Sequence, residues 1–180
     1  MKEYIIGLCL AIAVISSLGT AALITQPTTN TGTETDSVIT YHSNVCVSKN
    51  GKLLSCQPNL LTNDGKDYIR ELLGAGSADG AAKYIAVGNG TNTSLTDSTL
   101  DAEITTCGLA RTTGTYTASG GNGNWTLSKT FDSTCVLSVV NTTALFNASS
   151  GGTLFSGTNF TSASLQSGDQ LAITWNVYVN

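Results

Sequence analysis

The chain has 180 residues, a formal net charge of −4, only 11% charged side chains, 19 glycines, five cysteines and one histidine. That length suits one folded domain once a terminal segment is set aside. The thin charge, with no basic neighbourhood longer than Lys49 and Lys52, argues against a nucleic-acid partner, which needs clustered Lys and Arg.

Residues 1–24 come first. After Lys2 and Glu3 the run from Tyr4 to Ile24 carries no charge, and at ~1.5 Å per residue a helix of that length spans a ~30 Å bilayer core. The expectation is a retained hydrophobic anchor helix, sitting in a membrane or packing with its copies in a filament core. A cleaved signal peptide competes with it, because Gly19-Thr20-Ala21 offers small residues at a cleavage position. Small residues such as Gly7, Ala11 and Ala13 suit close helix packing in either location. Cys9 lies in the wrong context for lipid attachment and reads as a small apolar filler. Residues 25–37 contain one Pro and no apolar cluster, so they read as a flexible Thr-rich stalk.

The segment 38–180 reads as a β-sandwich head. Ile39, Tyr41, Val45 and Val47 share one face of a first strand, and Asn50-Gly51 marks a hairpin turn between Cys46 and Cys56. A helix follows, capped by Thr62 or Asn63, with Asp64 and Asp67 in its first turn and Gly74 at its end. Tyr68 with Leu72, and Ile69 with Leu73, form an apolar stripe expected to cover one end of the core. Trp125, Leu127 and Phe131 alternate ahead of the apolar run Val136-Leu137-Ser138-Val139-Val140. Leu171, Ile173, Trp175, Val177 and Val179 form the clearest half-buried strand, with Trp175 as its anchor. Turn clusters at 119–124 and 149–152 separate the strands. Short strands spaced by Gly, Asn and Ser predict a mainly β head, an antiparallel sandwich of jelly-roll or immunoglobulin-like type with one short helix.

Four cysteines remain in the head: Cys46, Cys56, Cys107 and Cys135. An even number behind an export segment points to two disulfides. Three connectivities exist; the hairpin favours Cys46–Cys56, leaving Cys107–Cys135. A zinc site is disfavoured because no Cys-x-x-Cys pair exists and His42 is the lone histidine. Six Asn-x-Ser/Thr sequons stand at Asn89, Asn92, Asn124, Asn141, Asn147 and Asn159, and some are expected to carry glycan.

No catalytic constellation emerges, and the chain reads as a non-enzyme without a cofactor. His42 on a strand has no triad context. Gly88-Asn89-Gly90 lacks the rest of a phosphate loop and reads as a turn. Asp97, Asp101 and Glu103 read as a solvated acidic turn ahead of a calcium site, since the spacing of a calcium loop is absent. Tyr116 and Phe160 are candidates for sugar contact and equally for core.

Several segments in order carry a resemblance: LLTNDGKDYIRELLG (60–74), KYIAVGNGT (83–91), TLDAEI (99–104), Leu109-Ala110-Arg111, ALFNASSGGTLFS (144–156) and GDQLAITWNV (168–177). Together they resemble a β-domain that recurs in tail-fibre-like and other surface proteins of bacterial and archaeal viruses. The resemblance implies a virion-surface or cell-surface structural component, often repeated in an assembly. The apolar N-terminus, paired cysteines and sequons depart from a tail fibre, and fit better a membrane-enveloped virus or a surface appendage of an archaeon. The leading expectation is therefore a tethered, glycosylated surface structural or adhesion protein whose partners are the membrane, its own copies and a host-surface glycan. A pilus-like filament subunit is the alternative, and a secreted carbohydrate-binding domain is another.

Overall fold

A computed structural model describes residues 40–72, 80–91, 93–118 and 123–179. The segments 1–24 and 25–37, and with them Ile39, Leu73, Gly74, Asn92 and most of the turn at 119–124, lie outside the described residues. In chain order the elements are β1 (Tyr41–Lys49), β2 (Lys52–Pro58), β3 (Leu60–Leu61), α1 (Asn63–Arg70), β4 (Tyr84–Gly88), β5 (Thr112–Thr113), β6 (Thr115–Ala118), β7 (Asn124–Asp132), β8 (Leu137–Phe146), β9 (Leu154–Leu165) and β10 (Gln170–Val179). They make two five-stranded sheets, which we term sheet A (β2-β1-β10-β7-β6) and sheet B (β3-β9-β8-β4-β5). Every pairing of named strands is antiparallel.

Sheet A follows from its two clearest sequence signals. Asn50 and Gly51 take φ of 47° and 76°, two successive left-handed residues that turn β1 into β2 with the twist a hairpin needs. In β10 the expected alternation holds: Leu171, Ile173, Trp175 and Val177 are at most 1% exposed. The register sets Val45, Trp175 and Leu127 side by side across β1, β10 and β7, so the apolar residues of three strands fall on one face.

Sheet B supplies the facing layer. Ile85, Val87, Leu145, Phe155, Phe160 and Leu165 belong to the same buried cluster as Val45, Phe131 and Trp175, which makes the head sandwich-like. Each large side chain buried there contributes about 1.5–3 kcal/mol. The second face of sheet B is also covered: Ala86, Ala144, Phe146 and Leu154 form a smaller cluster with Leu100 from the 89–111 segment. Among the described residues the second face of sheet A has no such cover, and Asn44, Thr115, Thr117 and Thr130 on it are exposed.

Thr62 caps α1. Its buried hydroxyl accepts the Gly65 amide at 3.0 Å and turns its own proton toward the Leu154 and Phe155 carbonyls, so one residue starts the helix and docks it on β9. Gly65 permits that approach, since a Cβ there would collide with the Phe155 carbonyl. Tyr68 packs edge-on against Phe155 at 6.0 Å between centroids.

One expectation needs correction. Leu72 is 51% exposed, because α1 ends at Arg70 and the stripe begun by Tyr68 is not continued onto the core. Tyr116, open between sugar contact and core, is 64% exposed; it has core-facing parity opposite Leu127, but β6 is a short strand at the edge of sheet A among the described strands. Phe160, by contrast, is core. In the run 136–140 only Val140 is fully buried, while Val136 and Val139 are 64% and 39% exposed. The β8–β9 register shifts there, which breaks the clean alternation.

Candidate functional site

The two disulfides close different parts of the head. Cys46 and Cys56 are register partners across the β1–β2 hairpin, with Cα atoms 4.0 Å apart. Cys107 and Cys135 join the 89–111 segment to the β7–β8 connection across a sequence separation of 28, with Cα atoms 5.2 Å apart. Cys107 and Gly108 both have positive φ, 59° and 76°, and the Thr134 amide donates to the Cys107 carbonyl at 3.0 Å. The pairing is the one favoured by the hairpin argument.

The densest polar site gathers the segments that carried the resemblance. The guanidinium of Arg111 donates to Glu103 through Nε at 2.9 Å and Nη2 at 2.5 Å. Nη1 donates to the carbonyls of Gly151 at 2.6 Å and Ala148 at 3.3 Å. Its plane lies over the Phe146 ring, 3.4 Å from the centroid. The Arg111 side chain is 8% exposed and that of Glu103 18%. A planar fork is the group suited to a carboxylate, two carbonyls and an aromatic face at once. Arg111 thus joins the 99–111 segment to the turn after β8 and to sheet B. The clue was available: Arg70 and Arg111 are the chain's only arginines, and Arg111 lies eight residues from Glu103 in a weakly charged region.

Asp97, Asp101 and Glu103 do not converge on a cation site. Asp97 accepts the Ser94 amide at 2.7 Å and its hydroxyl at 3.2 Å. Asp101 accepts the Thr91 amide and hydroxyl, each at 3.0 Å, and those bonds hold its carboxyl below the usual range. Glu103 belongs to Arg111. Among the described residues, no group of three or more His, Cys, Asp or Glu is placed to hold a metal ion.

Asp169 is a second polar node that the sequence reading missed. It pairs with Lys49 at 2.8 Å and accepts from Asn50 at 2.7 Å and the Gln166 amide at 2.8 Å. Its carboxyl is held well below the ordinary value, first by Lys49 and then by Asn50 and the Gln166 amide. Asn50 also accepts the Gln170 amide at 2.7 Å. The β1–β2 turn and the β9–β10 turn are therefore latched together at one end of the head.

An open groove of about 510 Å³ lies between β2, β3 and β9, with Asn59, Thr93, Thr158, Asn159 and Phe160 in its wall. Its polar groups are largely engaged within the fold. Asn59 donates to Tyr41 at 3.2 Å and to Ser156, Thr158 donates to the Pro58 carbonyl at 2.9 Å, and Asn159 accepts the Thr93 amide at 3.4 Å. Burial raises the Tyr41 phenol above its ordinary value, against the opposing pull of Asn59, Ser43 and Ser156. Among the described residues the groove wall carries amides and hydroxyls, groups that offer hydrogen bonds.

His42 is exposed on β1. Among the sequons, Asn89 is exposed on the turn after β4, whereas Asn124, Asn141, Asn147 and Asn159 are half-buried. Asn141 donates to the Gly90 carbonyl at 3.3 Å and Asn147 accepts the Thr153 amide at 2.7 Å, so both amides serve turns of sheet B. Asn92 lies outside the described residues. No helix among the described residues is long and apolar enough to cross a membrane. In comparisons with known proteins, no family model, curated protein or solved structure matches this chain.

Proposed function

We propose that the chain is an extracytoplasmic surface structural or adhesion protein, a disulfide-stapled β-head held to a membrane or filament by its apolar N-terminal segment. The observation that carries this reading is the pair of disulfides, Cys46–Cys56 and Cys107–Cys135, which persist in oxidising compartments and are rare in a reducing cytosol. The uncharged run from Tyr4 to Ile24 and the Thr-rich segment after it supply the tether and stalk. The sequons belong to the same compartment, with Asn89 best placed to carry a glycan. The polar nodes at Arg111 and Asp169 bind one part of the fold to another, as a framework requires.

Within the sandwich class we read the head as a jelly-roll or immunoglobulin-like variant. Chain crossings between the sheets at β2–β3, β5–β6, β7–β8 and β9–β10 support that reading. Membrane-tethered and pilus-like arrangements share the head and differ in where the first 24 residues pack. The resemblance of segments 60–74, 144–156 and 168–177 to virion-surface domains favours a particle of an archaeal virus or an archaeal appendage. The test is to isolate the native protein, determine its N-terminal residue by mass spectrometry, and image the fraction by electron microscopy. A chain retaining its apolar segment in particles or filaments supports the reading. A soluble monomer starting near Ala22 would replace it with a secreted, ligand-binding one.

A further inference from the structure

We propose that the outer face of sheet A is the surface through which copies of this chain pack side by side, an inference that rests on the surface-assembly reading and names its contact. The register defines that face row by row. Cys46, Thr174, Ser128 and Thr115 make one row across β1, β10, β7 and β6. Asn44, Asn176, Thr126 and Thr117 make the next. The end rows bring Leu53 and Tyr178 to opposite ends of the face, and these are 59% and 37% exposed.

Two independent distributions single this face out. The first is charge. Among the described residues its only carboxylate is Asp132, at the rim and bonded to Gln170 at 2.9 Å. Lys49 and Lys129 fall on the core-facing rows of Leu171 and Ile173 instead. The exposed His42 lies in the Tyr178 row at the other end. In a contact between identical copies every charge meets its own kind or a neighbour of the same patch, so a face whose central rows are free of charge avoids the penalty that a chain of net charge −4 would otherwise incur. The second is the sequons. Asn89, Asn141, Asn147 and Asn159 all belong to sheet B or its turns, and among the described sequons Asn124 alone reaches sheet A, in the end row with Tyr178. Glycans on sheet B would leave the interior of sheet A bare.

The outer face of sheet B is already covered by Leu100 and the Arg111 node. Sheet A offers five strands, which at ~4.8 Å between strands and ~3.4 Å per residue give a patch at most about 24 Å on a side, narrowing at the four-residue β6. In projection that is somewhat below the ~800 Å² per partner of a standard interface. Each contact is therefore weak alone and effective when the tether already holds neighbours close.

The test places opposite charges at the centre of the face in the full-length protein, as Thr174→Lys and Thr174→Glu, and measures association in detergent by sedimentation velocity. The wild type is expected to self-associate. Each variant alone should weaken that association at least tenfold, melting close to wild type, and a mixture of the two should restore it. If both variants associate like wild type, the face is wrong while the assembly reading stands. If the wild type is monomeric, and native material shows no assemblies, both fall. A monomer whose Thr174→Lys variant instead loses binding to a neutral glycan would also overturn self-packing.

Discussion

Replacing Arg111 with Ala should be among the most damaging single changes to the head. It removes two bonds to Glu103, two bonds to the carbonyls of Ala148 and Gly151, and the cover over Phe146. In the intact pair Glu103 is only 18% exposed, and breaking a buried pair from one side costs about 3–5 kcal/mol because the remaining charge is uncompensated. For a chain of this size each kcal/mol is worth roughly 2–4 °C, so the melting temperature should fall by about 6–20 °C. Arg111→Lys keeps the charge but loses the fork and the stacking plane, and should also destabilise substantially. The double variant Glu103→Gln, Arg111→Met removes both charges and should recover part of the loss. Urea unfolding followed by Trp fluorescence would report these proteins together with the single variants Glu103→Gln and Arg111→Met, and the cycle built from those two and their double variant should show a coupling of ~1–3 kcal/mol. A loss below about 1 kcal/mol for Arg111→Ala would show the pair to be as weak as an exposed one and refute the reasoning.

Trp175→Ala should cost about 3–5 kcal/mol, since the ring is fully buried between the sheets. Trp175→Phe should cost less, because the indole N–H has no hydrogen-bond partner among the described residues to lose. Both read out by chemical denaturation. From loop closure alone, removing Cys107–Cys135, with its separation of 28, should cost about 3.6 kcal/mol, and Cys46–Cys56, with its separation of 10, about 2.7 kcal/mol. A reversed order of the two losses in paired Cys→Ser variants would argue against that account. The carboxyl of Asp169 is held below its ordinary value in the folded state. Its stabilising effect is therefore complete above about pH 4 and is lost as pH falls from there toward the folded value. Asp169→Asn should melt below wild type at pH 6, and the gap should narrow on acidification toward pH 2.

Much of the frame is legible in the sequence because strand alternation and turn chemistry are local. Leu171 to Val177, the Asn50-Gly51 turn and the Thr62 cap each announce themselves within a few residues. The polar nodes are not local. Arg111 meets carbonyls about forty residues away, and Asp169 meets Asn50 across 119 residues, so neither pairing leaves a trace in spacing. Edge effects are equally invisible: Tyr116 has the right parity for the core and stays exposed because sheet A stops at β6. Leu72 fails for a related reason, since a stripe is buried only as far as the helix lies on its sheet. The strand register was also needed to see that charges and sequons avoid the central rows of one face.

The central claim is an oxidised head outside the cytoplasm, and thiol trapping of native protein tests it most directly. Rapid alkylation under denaturing conditions, before and after reduction, followed by peptide mass spectrometry would assign Cys46, Cys56, Cys107 and Cys135 individually. The account predicts that all four become labelled only after reduction, with linked peptides joining Cys46 to Cys56 and Cys107 to Cys135. Four free thiols in native material would contradict it, placing the head in a reducing compartment.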